Sequence, residues 1–141
     1  MLRNKKLHFH HIGIACCSIN EEVSQWELLG YQPEGSVFID STQGIRGLFM
    51  IGGGARIELL EATQDSNTLA PWLKRKIKMY HLGYLAPNLS EAVAEMIASG
   101  AVITREPMFS TYFRSNIVFL TLPSLVLIEL IEIPSHTDNE N

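Results

Sequence analysis

The sequence contains little cysteine: of its 141 residues only Cys16 and Cys17 are cysteines, and they are neighbours. Adjacent cysteines rarely bridge each other, and a single pair cannot form a disulfide framework. This excludes the class of small secreted proteins that disulfides hold together. We therefore expect a cytoplasmic protein in which both thiols pack at the end of a strand.

The chain also lacks an excess of positive charge and a long apolar segment. Its formal net charge is −4 at pH 7, whereas a general nucleic-acid binder carries the opposite balance. No stretch of about 18 uncharged apolar residues occurs, because the longest apolar run is broken by Pro123 and contains Glu129 and Glu132. We therefore expect no nucleic acid and no membrane as a partner. The 46% of hydrophobic residues suffices for the core of a single domain.

What the chain does contain is an internal repeat with an offset of 70 residues. The matching segments are HIGIA and HLGYL at 11–15 and 81–85, SINE and NLSE at 18–21 and 88–91, and IELLE and IELIE at 57–61 and 128–132. The last pair is offset by 71 residues, which one inserted residue explains. The second pair is typical of helix N-termini, with an acid three residues after a capping side chain. Several matches in the same order indicate a duplicated unit.

Each half of the repeat predicts a strand, a helix and then three strands, which is an α+β fold of two βαβββ modules. In module one, 8–62, we expect strands near 8–16, 35–41, 45–51 and 55–62 and a helix near 19–29. In module two, 80–133, we expect strands near 80–86, 101–105, 115–122 and 125–132 and a helix near 89–99. The connector, 63–79, is expected to hold a short helix near Pro71, and the polar tail, 134–141, to be disordered.

The repeat singles out four residues with metal-binding chemistry: His11, Glu58, His81 and Glu129. A glycine follows each histidine by two positions and lies on the same strand face, which leaves room beside the imidazole. Each glutamate lies in an otherwise apolar strand and needs a partner if it is buried. For Glu58 alone, a solvent-facing carboxylate is an equally good interpretation. Two imidazoles and two carboxylates suit one divalent ion, Zn, Ni, Co, Mn or Fe. His10 falls on the opposite face and is expected to pack outside this site.

The motifs HHIGIA with RIELLE, and YHLGYL with LIELIE, resemble those of the vicinal oxygen chelate superfamily over about residues 8–133. That superfamily includes glyoxalase I, methylmalonyl-CoA epimerase, extradiol dioxygenases, fosfomycin-resistance enzymes and bleomycin-binding proteins. The resemblance implies that the modules form an open, curved mixed-sheet barrel and that His11, Glu58, His81 and Glu129 match its four ligand positions. It also implies a homodimer, with the site built within one chain or across the dimer. The sequence departs from the epimerases at Gly47, where they carry a catalytic glutamate.

This resemblance implies a metal-dependent isomerase or lyase of the glyoxalase I or acyl-CoA epimerase kind, which chelates two substrate oxygens and stabilises an enolate-like intermediate. We expect Glu129, or else Glu58, to act as the base. Arg56 and Asn116 are the expected substrate contacts, although for Arg56 a surface arginine is an equally good interpretation. The substrate is expected to be a small molecule such as a thioester or a hemithioacetal. The alternatives are an Fe-dependent dioxygenase of the same fold and a non-catalytic, resistance-type protein that binds a small molecule. The basic segment 74–78 fits either a substrate phosphate or a solvated surface.

Overall fold

The computed structural model describes residues 7–134, and within them three helices and eight strands follow the order of the predicted repeat. The strands are β1 (His8–Cys16), β2 (Gln32–Asp40), β3 (Ile45–Ile51), β4 (Ile57–Ala62), β5 (Met79–Ala86), β6 (Val102–Ser110), β7 (Ser115–Thr121) and β8 (Leu127–Glu132). The helices are α1 (Ile19–Glu27), α2 (Ala70–Arg75) and α3 (Leu89–Ala98). The predicted α+β class with two βαβββ modules is confirmed.

The chain folds as two compact units, of which the first is formed by residues 11–81 and the second by residues 7–10 together with 82–134. The connector predicted for 63–79 lies in the first unit, where α2 is its short helix. The predicted polar tail lies outside the described residues, apart from Pro134. No helix between residues 7 and 134 is long and apolar enough to cross a membrane.

In the first unit the strands have the order β2-β3-β4-β1, with β1 parallel to β4 and the other pairs antiparallel. Because side chains alternate along a strand, the sheet has two faces of different composition. One face carries Ile14, Leu48 and Leu59, which are buried under α1. The opposite face carries Gly13, Phe49 and Glu58, which are cross-strand neighbours in register. We call this second face the ligand face of the unit.

Helix α1 is fixed to the sheet at its first residue. The Ser18 hydroxyl caps it by accepting from the Glu21 N–H at 3.3 Å. Glu61, at the end of β4, accepts from the Ile19 N–H at 2.8 Å and from the Arg46 guanidinium at 3.0 Å. A strand carboxylate thus satisfies one of the donors that a helix N-terminus leaves open.

The second unit repeats this arrangement with β5 parallel to β8, and with β7 antiparallel to both β8 and β6. Asn88 caps α3 by accepting from the Glu91 N–H at 3.0 Å. Leu89, Leu120 and Leu130 belong to the apolar core that α3 covers. Glu129 precedes Leu130 in β8 and therefore points to the opposite face, together with its cross-strand neighbour Phe119. That opposite face is the ligand face of the second unit.

Three local predictions differ from the structure. Strand β2 begins at Gln32 rather than near 35, and β6 extends to Ser110 rather than ending near 105. Both are outer strands with register shifts, and bulges let a strand continue past residues that interrupt its alternation. The prediction that both cysteines pack is wrong for Cys17, which is exposed at the end of β1, while Cys16 is buried.

Candidate metal centre

His11 and Glu58 are brought together by the parallel pairing of β1 with β4. In that register Gly13 lies opposite Glu58, so the side chains of His11 and Glu58 lie on one face. Their exposed fractions are 0% and 5%. The Nε2 atom of His11 lies 3.0 Å from Oε1 of Glu58. An isolated buried carboxylate would be costly, so this proximity gives Glu58 the partner that burial demands.

His81 reaches the same point from the first residues of β5, which belong to the first unit. Its Nε2 lies 2.9 Å from Nε2 of His11 and 3.4 Å from Oε1 of Glu58, and its residue is 3% exposed. The space for its ring exists because residue 13 is glycine. A β-carbon at Gly13 would lie 2.4 Å from Cε1 of His81, far inside normal contact. A glycine therefore does leave room beside this imidazole, but the glycine is Gly13 of β1 and not the one two positions after His81 in β5.

The chemistry and spacing of these three donors fit a divalent cation. Two imidazole nitrogens and one carboxylate oxygen are the donor set that Zn, Ni, Co, Mn and Fe accept in proteins. Metal–ligand bonds of about 2.1 Å at right angles separate two donor atoms by about 3.0 Å. The three donor separations of 2.9, 3.0 and 3.4 Å agree with that value. His11, Glu58 and His81 are therefore able to hold one ion without large movement.

Aromatic rings fix the orientation of both imidazoles. Phe49 packs edge-on against His11 with ring centroids 5.1 Å apart, and Phe38 stacks on Phe49 at 5.8 Å. On the other side, Tyr80 packs edge-on against His81 at 4.8 Å. No sequence pattern assigned these rings to the site, although the position of Tyr80 directly before His81 was a signal. Such packing reduces the entropy that the donors lose when they bind an ion.

Gly47 faces the same aromatic group. A β-carbon there would lie 2.4 Å from Cζ of Phe38, so the Phe38 ring occupies the space that any side chain at this position would need. The departure from the epimerase pattern at Gly47 is thus coupled to a second residue, Phe38. The ligand face has an apolar surface at this point rather than a carboxylate.

Glu129 has the same position in the second unit that Glu58 has in the first. Gly83 and Phe119 are its cross-strand neighbours, as Gly13 and Phe49 are those of Glu58. Glu129 is 3% exposed. The local register therefore agrees with the duplication that made Glu129 a candidate ligand.

The two predicted substrate contacts have partners of their own. The guanidinium of Arg56 donates to both carboxylate oxygens of Glu34, at 2.9 and 3.3 Å. Glu34 is a partner that no sequence pattern singled out. The amide of Asn116, an exposed residue, donates to Glu132 at 3.1 Å. Their roles toward a substrate stay predictions.

Two further residues of interest lie away from the three donors. His10 packs edge-on against Phe113, with ring centroids 5.6 Å apart, in agreement with its expected packing role. The basic segment 74–78 is exposed, and its last residue, Lys78, forms an ion pair with Glu22.

Comparison with known proteins gives a consistent picture. A family model described as the Glyoxalase/Bleomycin resistance protein/Dioxygenase superfamily matches residues 10–119. A hypothetical protein from Bacillus halodurans has a similar solved structure, with a TM-score of 0.76, 24% identity, and 92% of this chain and 96% of that chain covered. Methylmalonyl-CoA epimerase from Mycobacterium tuberculosis is also similar, with a TM-score of 0.76 and 24% identity, and with 94% of this chain and 91% of that chain covered.

A variant of methylmalonyl-CoA epimerase from Streptomyces coelicolor, in complex with 2-nitronate-propionyl-CoA, is also similar. Its TM-score is 0.73 and its identity 26%, with 91% of this chain and 98% of that chain covered. The comparison with curated protein sequences gave no match.

Proposed function

Because the chain belongs to the glyoxalase, bleomycin resistance protein and dioxygenase superfamily, we propose that it is a metal-dependent isomerase or lyase of the glyoxalase I or acyl-CoA epimerase kind. The observation that carries this proposal is the buried cluster of His11, Glu58 and His81, with donor atoms 2.9 to 3.4 Å apart. A divalent ion bound there would act as a Lewis acid toward two neighbouring substrate oxygens and favour an enolate-like intermediate.

Glu129 is the proposed fourth ligand and the proposed base. The duplication gives it the register position of Glu58, and burial in an apolar strand gives it a reason to have a charged partner. In the reaction, a carboxylate oxygen of Glu129, or else of Glu58, would accept the proton from the carbon next to the carbonyl. Such a positioned base typically contributes about 10²- to 10⁴-fold to the rate.

The remaining residues of the ligand face would orient the substrate and limit the access of water. Phe38, which is half-buried and stacks on the buried Phe49 beside His11, presents apolar surface that favours the uncharged part of a substrate. Arg56 and Asn116 are proposed substrate contacts, and Arg56 would have to share its guanidinium with Glu34.

The proposed substrate class is a thioester, with a hemithioacetal as the second choice. A complex of 2-nitronate-propionyl-CoA with the Streptomyces coelicolor epimerase, at 26% identity, supports the thioester. The similarity to the Mycobacterium tuberculosis enzyme, at 24%, supports the fold only. A homodimer and a cytoplasmic location are part of the proposal, and sedimentation equilibrium of the purified chain tests the first.

The test of the metal site begins with the purified protein washed free of loosely bound ions. Its divalent metal content is measured, and Zn²⁺, Ni²⁺, Co²⁺, Mn²⁺ and Fe²⁺ are titrated into the metal-free protein. We expect one ion per chain, and loss of binding in H11A, E58Q and H81A. H8Q is the matched control, because His8 lies on the same strand and is exposed. A chain that takes up no ion would make the non-catalytic binding protein the better assignment.

One observation favours a second function. Two histidines and one carboxylate in the first unit are also the ligand set of non-haem iron oxygenases, which leave more coordination positions open. E129Q separates the two assignments, because an isomerase site with four ligands should lose metal affinity, whereas a three-ligand site should keep it. Incorporation of solvent deuterium into 2-substituted acyl-CoA thioesters or a hemithioacetal is expected of the isomerase or lyase alone.

A further inference from the structure

Each unit has a cross-strand row on its ligand face that ends at the candidate glutamate. In the first unit the row is Glu34, Phe49 and Glu58. In the second unit it is Arg105, Phe119 and Glu129. The two rows match at the phenylalanine and the glutamate and carry opposite charges at the outer strand.

Arg105 reaches the ligand face through an irregularity in β6. Just before it, Ile103 lies opposite Leu120, whose side chain belongs to the core under α3. A register shift then skips one residue, and Arg105 becomes the neighbour of Phe119 on the other face. A second shift follows before Met108. Bulges of this kind redirect a side chain and are frequent beside active sites.

Arg56 of the first unit and Arg105 of the second unit differ in their surroundings. In the first unit the guanidinium of Arg56 is neutralised by the carboxylate of Glu34. In the second unit Arg105 is half-buried, while Thr104 and Glu106 beside it are exposed. Within residues 7–134, Arg105 makes no hydrogen bond or ion pair with a carboxylate. A guanidinium that has given up part of its hydration and holds no protein anion is suited to an anionic ligand.

We propose that Arg105 is a specificity-determining residue that binds an anionic oxygen group of the substrate, either an acyl carboxylate or a coenzyme A phosphate. Two strand spacings separate its backbone from that of Glu129, a distance of about 10 Å. One small ligand therefore spans both residues. This inference rests on the proposed function, since it takes Glu129 to be part of the reaction site.

The experiment compares R105Q with the wild type by calorimetric titration of the metal-loaded protein. Four probes combine two acyl groups with two carriers: methylmalonyl-CoA, propionyl-CoA, methylmalonyl-pantetheine and propionyl-pantetheine. R114Q is the matched control, because Arg114 is an exposed arginine of the β6–β7 turn and its loss changes the net charge equally. Metal affinity is measured for all three proteins and should be equal, because none of the changes touches a donor.

A contact with the carboxylate predicts that R105Q weakens binding of both methylmalonyl probes, on the order of 10- to 100-fold, and leaves the propionyl probes unchanged. A contact with a coenzyme A phosphate predicts that R105Q weakens binding of both CoA probes by a similar factor and leaves both pantetheine probes unchanged. R105K, which keeps the charge without the planar fork, should fall between R105Q and the wild type.

Equal affinities of R105Q and the wild type for all probes, or an equal loss for all four, would overturn the assignment of Arg105 while leaving the metal site standing. A wild-type protein that takes up no divalent ion would instead overturn the proposed function, and the assignment of Arg105 with it.

Discussion

The substitution Gly13→Ala should weaken metal binding without changing a single donor atom. The added methyl carbon would lie 2.4 Å from Cε1 and 2.5 Å from Nδ1 of His81. Normal carbon contacts are about 1 Å longer, so the imidazole has to move by a similar amount. Since Gly13 has an ordinary strand backbone conformation, the substitution acts through this contact alone.

A displacement of this size takes one nitrogen out of a cluster whose atoms lie 2.9 to 3.4 Å apart. We expect the dissociation constant for the divalent ion to rise by at least about 10- to 100-fold. The free energy of unfolding of the metal-free protein should fall by about 1–3 kcal/mol, as for other overpacked sites. Competition with a chelator measures the first quantity, and urea denaturation the second.

The matched control is Gly47→Ala, whose added methyl would lie 2.4 Å from Cζ of Phe38. The steric overlap is as large as in Gly13→Ala, but it involves the ring of Phe38, which cannot be a metal ligand. We expect a similar loss of stability with a much smaller loss of metal affinity, because Phe38 stacks on Phe49, which in turn packs against His11. Wild-type metal affinity in G13A, or an equal loss of affinity in both variants, would refute the view that Gly13 exists to seat the imidazole.

Three further predictions concern stability. Burial, and secondarily the charge of Glu22, raise the pKa of the Cys16 thiol from 9.0 to about 12. The unfolded chain therefore releases this proton first, so the free energy of unfolding should fall as the pH rises above 9.0, and C16A should show less of that fall in urea denaturation. E61A should lower the free energy of unfolding by about 1 kcal/mol because it removes the acceptor of the Ile19 N–H, whereas E61Q should keep most of it. A saturating divalent ion at about 100 times its dissociation constant should add about 2.7 kcal/mol to the free energy of unfolding; calorimetric melting should show no such gain for E58Q, and a gain there would contradict the ligand assignment.

The sequence predicted those parts of the molecule that depend on local pattern and on duplication. The internal repeat singled out His11, Glu58 and His81 together, whereas strand alternation alone left a solvent-facing Glu58 as an equally good interpretation. The α+β class and the family resemblance followed from the same motifs and are confirmed. These features can be predicted from local sequence because burial of one apolar strand face fixes the register of the strand.

Partner choice between distant side chains could not be predicted in the same way. Nothing near Glu34 in the sequence distinguishes it as the carboxylate that binds Arg56, because the ion pair depends on the pairing of β2 with β3. The register shifts in β6 that turn Arg105 toward the ligand face are likewise invisible in an alternating pattern. The cap that Glu61 provides for α1 is not predictable from local pattern either, because its contact with the Ile19 N–H depends on the pairing of β1 with β4.

The parallel pairing of β1 with β4 has a consequence for biosynthesis. Because Ile12 pairs with Ile57, a nascent chain on the ribosome must present β1 without its neighbour until α1, β2, β3 and β4 have all emerged. During that interval the hairpins can form, whereas the segment Ile12–Cys16 stays an open apolar edge. The same delay applies to β5, which pairs in parallel with β8. Translation speed through either module, and the chaperones that bind short hydrophobic stretches, should therefore influence the yield of folded protein.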